Sequence, residues 1–128
     1  MNLLLDTHAL LWGLAQPERL PRKIQGMIAD QRNRIYFSVV SVWEIAIKHA
    51  IPRRVAMVPA DELAHYAEEA GYDVLPVKLA HVLGVEALPL IHLDPFDRLI
   101  VAQALAEGFR LVTHDAQLQA YDTSVIAF

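Results

Sequence analysis

Leu3-Leu4-Leu5-Asp6 decides how the rest of the chain is read. Three consecutive leucines offer no polar alternation, so a strand made of them must be covered on both faces, as the central strands of parallel sheets are. A carboxylate follows at once, at the C-terminal end of that strand. Beyond it the apolar spacing turns helical through Ala9–Ala15 and stops before Pro17. Pro21 opens a second helix as its first residue. Leu20, Ile24, Met27, Ile28 and Gln31 recur there at helical spacing, with Arg22 and Lys23 off that face.

The alternation continues outward. Ile35–Val40 is a β-branched and aromatic run, a second strand, and Ser41 starts a helix that Pro52 stops. Trp43, Ala46, Ile47 and Ala50 share one face of it. A helix fits Asp61–Ala70, with Gly71 as its stop. Tyr72–Pro76 reads as a third strand, placed at a sheet edge because proline cannot donate to the ladder. A short helix at Lys78–Leu83, a longer one at Phe96–Glu107 ended by Gly108, and strands at Arg110–Thr113 and Ser124–Ala127 complete the pattern. Alternating strands and helices without a hairpin signal predict an α/β fold of three layers, a parallel sheet with helices on both faces. The chain, residues 1–128, shows no repeat or long linker and reads as a single domain. In open parallel sheets the ligand site lies beyond the C-terminal ends of the strands.

Composition narrows the chemistry. The chain has no cysteine, which removes disulfides, thiolate nucleophiles and thiolate metal sites and suits a reducing compartment. No apolar run approaches the roughly 18–20 residues of a membrane helix, and Met1-Asn2 carries no basic leader. The expectation is a cytoplasmic protein with no membrane partner. The net charge of -4 argues against an overall basic nucleic-acid binder. Arg19, Arg22, Lys23, Arg32 and Arg34 nevertheless crowd one stretch, and Lys48, His49, Arg53 and Arg54 another. Such patches either engage phosphates or form solvated helix faces. A hydrophobic content of 55% exceeds the usual level of about 45–50%, which points to an oligomer or a bound partner.

Each acid that matters has a bland explanation beside a chemical one. Asp6 and Asp115 both follow apolar strands, and either can serve only as the N-cap of the next turn. Ser41-x-x-Glu44 is a capping-box pattern, and Glu44 is placed for an i,i+4 ion pair with Lys48. Asp94-Pro95-Phe96-Asp97 is a helix start with Asp94 as N-cap, which leaves Asp97 the less explained of the two. Taken jointly, four acids from separate segments fall where a parallel sheet gathers its functional loops. Carboxylates packed together repel and raise one another's pKa, so a cation is needed to hold them. Oxygen ligands without thiolates favour Mg²⁺ or Mn²⁺ over zinc. Thr7 and Thr113 are placed to hydrogen-bond an acid or a bound water. His8, His92 and His114 lie beside the acids, while His49, His65 and His81 fall within helices and carry no functional reading.

These same stretches resemble a known family. Leu3-Leu4-Leu5-Asp6-Thr7-His8-Ala9-Leu10-Leu11-Trp12 resembles the opening of PIN-domain proteins, specifically VapC-type toxins of bacterial toxin–antitoxin pairs. Ser41-Val42-Trp43-Glu44-Ile45-Ala46-Ile47-Lys48, then His92 through Ala104, then Leu111-Val112-Thr113-His114-Asp115 are similar to its later acidic motifs. Any one motif is weak, but the ordered set is specific and spans nearly the whole chain. The resemblance implies a five-stranded parallel sheet, a homodimer and Mg²⁺- or Mn²⁺-dependent endonucleolytic cleavage of RNA. It also implies a small cognate antitoxin that inserts a C-terminal segment into the active-site groove. Carried over by position, the catalytic and metal-holding acids are Asp6, Glu44, Asp97 and Asp115, with Asp94 accessory. Lys48, Arg98 and Thr7 are the substrate-binding candidates, the first two as phosphate contacts.

The chemistry expected of such a site is metal-assisted hydrolysis of a phosphodiester. Rival classes fare poorly. Dehalogenase-type phosphatases need a second Asp two residues after the first, where this chain has His8. Phospho-receiver domains need a Lys near the last strands, yet none follows Lys78. No glycine-rich strand-to-helix turn supports a P-loop. A non-enzymatic binding module that keeps its acids for capping is the remaining alternative.

Overall fold

A computed structural model describes residues 1–51 and 58–128. The helix stop assigned to Pro52 and the basic residues Arg53 and Arg54 lie outside the described residues. Five strands, β1 (Asn2–Leu5), β2 (Arg34–Ser38), β3 (Asp73–Leu75), β4 (Arg110–Thr113) and β5 (Ile126–Ala127), form one sheet in the order β3-β2-β1-β4-β5. Every pairing is parallel. The helices are α1 (Thr7–Ala15), α2 (Arg22–Ala29), α3 (Val39–Ala50), α4 (Ala60–Glu69), α5 (Leu79–Ala87) and α6 (Pro95–Glu107), with short 3₁₀ turns at Pro17–Arg19 and Ala116–Ala120. The α/β expectation holds, and β3 takes the edge position that Pro76 indicates.

The leucine triplet shows why the layers form. β1 is the middle strand, and all three of its leucines are fully buried. Leu3 and Leu5 point into a core with Ile35, Phe37 and Val112, closed by Leu10 and Trp12 of α1, Ile24 of α2, Ile45 of α3 and Leu63 of α4. Leu4 points the other way, into a core with Leu111, Leu75, Leu118 and the α6 residues Ile100, Val101 and Ala104. Burial of each such side chain stabilises the fold by roughly 2 kcal/mol. Helix α6 is bounded as its sequence indicates. Asp94 caps its start, and Gly108 ends it at φ 70°, a left-handed conformation favourable only without a Cβ.

Some boundaries differ. β2 ends at Ser38, and Val39 and Val40 already belong to α3. The N-cap is therefore Ser38, whose hydroxyl oxygen accepts from the Val40 N–H. Ser41 lies inside the first turn, so the capping box read from Ser41 and Glu44 does not form. Pro21 stands one residue before α2 rather than opening it. α1 starts at Thr7 because Asp6 caps it, α5 runs on to Ala87, and the last strand shortens to Ile126–Ala127.

The strand order matters most for function. The chain steps outward from β1 to β2 and β3, then returns to place β4 on the opposite side of β1. The two halves part between β1 and β4, which is where open parallel sheets form their ligand crevice. Asp6 follows β1 and Asp115 follows β4, so both stand at that parting. No helix among the described residues is long and apolar enough to cross a membrane.

Candidate active site

A pocket of about 380 Å³ opens at the C-terminal edge of the sheet, lined by Asp6, Thr7, His8, Glu44, Lys48, Asp94, Asp97, His114, Asp115 and Ala116. Seven of the eight residues singled out by sequence meet there. Arg98 does not.

Asp6 is the most enclosed, only 4% exposed. Its Oδ1 accepts from the Ala9 N–H (2.8 Å), which makes it the N-cap of α1. Its Oδ2 accepts from the Thr113 hydroxyl (2.6 Å) and the His114 N–H (3.1 Å). Burial pushes its carboxyl up from the ordinary carboxylate value, and these donors, led by Thr113, offset that only in part. Thr113 also accepts from the Asp115 N–H at 3.0 Å, so one buried hydroxyl ties the two strand-end acids together.

Glu44 reaches the pocket from α3. The Thr7 hydroxyl lies 2.9 Å from Glu44 Oε1 and 3.0 Å from Ser41 Oγ. A hydroxyl has one proton, so Thr7 donates to the carboxylate and Ser41 donates to Thr7. Of the two roles open to Thr7, the structure shows the bond to an acid. Lys48 Nζ sits 2.7 Å from Glu44 Oε2, the ion pair that the i,i+4 spacing implies.

Asp94 caps α6, its Oδ1 accepting from the Phe96 N–H (2.8 Å) and the Asp97 N–H (3.1 Å). Asp97 is different, because its carboxylate accepts no hydrogen bond from any described residue; the nearest cationic candidate, His92 Nε2, is 3.7 Å away. Partial burial, then the charges of Asp94 and Asp6, push the Asp97 carboxyl up to about 7. Asp115 caps the turn at Ala116–Ala120 through Oδ1 and accepts from His92 Nε2 at 2.8 Å through Oδ2. Capping and convergence therefore coexist, since Asp6, Asp94 and Asp115 each finish a turn and each face the pocket.

Arg98, a phosphate-contact candidate by sequence, turns away from the pocket instead. It is 9% exposed, and its guanidinium donates to the carbonyls of Val85, Leu88, Pro89 and His92 and to the Tyr121 hydroxyl. It folds the segment between α5 and α6, both of its terminal nitrogens being spent on that segment and on Tyr121 rather than facing the pocket. Trp12 is buried, with Arg19 stacked 4.3 Å from its ring centre, and is no base-stacking platform.

Sequence reading placed His92 only beside the acids. The structure brings one ligand atom each of His92, Asp97 and Asp115 within 4.8 Å of one another. Adjacency to Asp94 was the available signal, but nothing local shows that the ring reaches Asp115, 23 positions away.

The donor set fits a hard divalent cation. It is all oxygen in the pocket's acids, it lacks thiolates, and it includes in Asp97 a carboxylate that accepts no hydrogen bond from any described residue.

Comparison with known proteins agrees with this geometry. The PIN-domain family model matches residues 3–124. The chain is 34% identical over 138 aligned positions to Ribonuclease VapC22 of Mycobacterium tuberculosis (strain ATCC 25618 / H37Rv), covering 94% of this chain and 92% of that protein. Among solved structures, VapBC2 from Rickettsia felis bound to a promoter DNA fragment aligns with TM-score 0.68 and 13% identity over 100% of this chain and 98% of that one. VapBC-5 from Mycobacterium tuberculosis, a member of the VapBC family of toxin-antitoxin systems, aligns with TM-score 0.60 and 22% identity over 99% and 98%. The fold, the carboxylate-lined pocket at its strand ends and this similarity along nearly the whole length place the chain in the PIN-domain family, among its VapC-type ribonucleases.

Proposed function

We propose that this chain is a divalent-metal-dependent endoribonuclease, the toxin of a toxin–antitoxin pair, with Asp6, Glu44, Asp97 and Asp115 as its catalytic and metal-holding acids. The observation that carries this reading is the meeting of those carboxylates, from four separate segments, in one pocket at the parting of the sheet. The kinship with a protein named as a ribonuclease supports RNA as the substrate. The kinship with VapBC toxin-antitoxin structures supports neutralisation by a small cognate antitoxin. An acidic pocket of this kind also suits a cationic side chain on an inhibitory segment.

Mg²⁺ or Mn²⁺ would be held by the four acids, where it supplies Lewis acidity toward the phosphate and lowers the pKa of water. The chain's own residues do the rest. Thr113 and the Ala9 and His114 amides hold Asp6 rigid, and Thr7 does the same for Glu44. Lys48, partly exposed at the rim, is placed to meet the RNA backbone phosphate. One of the four carboxylates would take the proton of the attacking water. Asp94 is accessory, setting the start of α6 and adding negative charge beside Asp97.

A homodimer fits the exposed apolar side chains Trp43, Leu79, Leu83, Leu90 and Leu93, which are 54–82% accessible in the single chain. A cytoplasmic location fits the absence of cysteine and the RNA substrate.

The test is cleavage of single-stranded RNA by the purified chain with Mg²⁺, with Mn²⁺ and with EDTA, beside induced expression in a bacterial host. Wild type is expected to cleave and arrest growth, Asp97→Asn to do neither, and Asp94→Asn to retain part of both. No cleavage and no arrest by wild type overturns the ribonuclease reading. Equal loss in the two variants overturns the accessory role of Asp94.

A further inference from the structure

His92 occupies the segment between α5 and α6, and its surroundings decide where its ring proton lies. Its Nδ1 accepts from the Asp94 N–H at 3.0 Å. A ring nitrogen that accepts a hydrogen bond carries no proton, so the ring's single proton is on Nε2. Nε2 lies 2.8 Å from Asp115 Oδ2, a carboxylate oxygen that accepts its hydrogen bond, with Asp97 Oδ2 further off at 3.7 Å. Each contact thus requires the same tautomer.

That tautomer changes the meaning of the cluster formed by His92, Asp97 and Asp115. Three potential ligand atoms within 4.8 Å suggest a metal triad containing an imidazole. A cation, however, needs the nitrogen lone pair, and Nε2 has none while Nδ1 serves the Asp94 amide. Moving the proton to Nδ1 would set two N–H donors against each other at 3.0 Å.

The ring is also held from behind. The His92 N–H donates to the Tyr121 hydroxyl oxygen at 2.9 Å, and Arg98 Nη1 reaches that hydroxyl at 3.2 Å and the His92 carbonyl at 3.4 Å. The buried Arg98 therefore fixes Tyr121 and His92 together. We propose that His92 is a positioning residue for the reaction: its Nε2–H holds the Asp115 carboxylate in place for the cation, and the imidazole is not a ligand. This rests on the ribonuclease reading for its purpose, though not for its measurement. Partners of this kind, one step removed from a cation, change metal affinity about 10–100-fold when removed.

The tautomer is read by ¹⁵N NMR of the histidine ring in the full chain, without metal and with saturating Mg²⁺. The Nε2–H form is expected in both, and an Nδ1–H form in either overturns the proposal. Calorimetric titration with Mg²⁺ and with Mn²⁺ gives the second readout. His92→Ala is expected to weaken both ions by about tenfold or more and by similar factors. His92→Gln, whose amide N–H₂ reaches to the position of Nε2, is expected to recover most of that loss, and Tyr121→Phe to show a smaller loss. A loss confined to Mn²⁺ marks the imidazole as a ligand and overturns the proposal, as does a Gln variant no better than Ala or an Ala variant equal to wild type. If the Ala variant does not fold, the Gln titration and the tautomer decide. Should the protein cleave no RNA, the ribonuclease reading fails while both of these measurements still stand.

Discussion

Asp97→Asn is expected to make the metal-free protein more stable while removing its response to divalent ions. The Asp97 carboxyl has a pKa of about 7 in the folded chain, against an ordinary 3.8. The folded state therefore binds this proton more tightly than the unfolded state, and stability falls as pH rises from about 4 to 7, then levels off. The full shift corresponds to about 4 kcal/mol at 1.36 kcal/mol per pKa unit, and solvent screening on the open side of the pocket reduces it to roughly 2 kcal/mol. Asparagine is isosteric and uncharged, and the Asp97 carboxylate gives up no hydrogen bond to any described residue. It mimics the protonated acid at every pH. For a chain of this size 2 kcal/mol corresponds to roughly 8 °C in Tm. Thermal melts in EDTA at pH 8 and at pH 4, at fixed protein concentration, make the comparison. The variant is expected to melt higher at pH 8 and level with wild type at pH 4. Added Mg²⁺ should raise only the wild type appreciably, by about 2.7 kcal/mol at one hundred times its Kd. An Asn variant no more stable than wild type at pH 8 without metal would refute the electrostatic reasoning.

Further outcomes follow from particular contacts. Leu4→Ala should cost roughly 3 kcal/mol in urea unfolding, because the side chain is fully buried between the sheet and α6. Arg98→Lys should lose about 2–4 kcal/mol of stability, since a lysine cannot replace a guanidinium that serves four carbonyls and a hydroxyl. Its RNA affinity, measured on folded protein, should stay within about twofold; a larger loss would restore Arg98 as a phosphate contact. Thr7→Val should lower cleavage about tenfold or more by freeing Glu44 Oε1, with circular dichroism unchanged. Lys48→Ala should weaken RNA binding and flatten its salt dependence by roughly one unit of log–log slope, and an unchanged slope would exclude the phosphate contact.

The elements were legible because their signals are local. Three leucines in a row, the stops at Pro17, Gly71 and Gly108, and the Asp94-Pro95 helix start each act over a few residues, and each found its place. The boundary at Ser38 was not legible for a related reason. Val39 and Val40 have strand-like side chains, and what turns them helical is a cap at Ser38 whose hydroxyl is itself held by Gln103, 65 positions away. The direction of Arg98 is hidden from the sequence on the same grounds. Its neighbours in sequence are acids of the site, but its donors point to carbonyls of the preceding segment, a direction set by the packing of α5 against α6.

Sequence by itself determined the chemical inventory and the alternation of strands and helices, together with which acids end strands or begin helices. Periodicity, capping and i,i+4 pairing depend only on short spacings, so they can be read from the chain. Tertiary structure decided which of those acids share a pocket. The order β3-β2-β1-β4-β5 sets β4 beside β1, bringing Asp115 to Asp6 through Thr113 and delivering His92 to Asp115. No local spacing encodes that adjacency, because it comes from how the whole sheet buries its two faces.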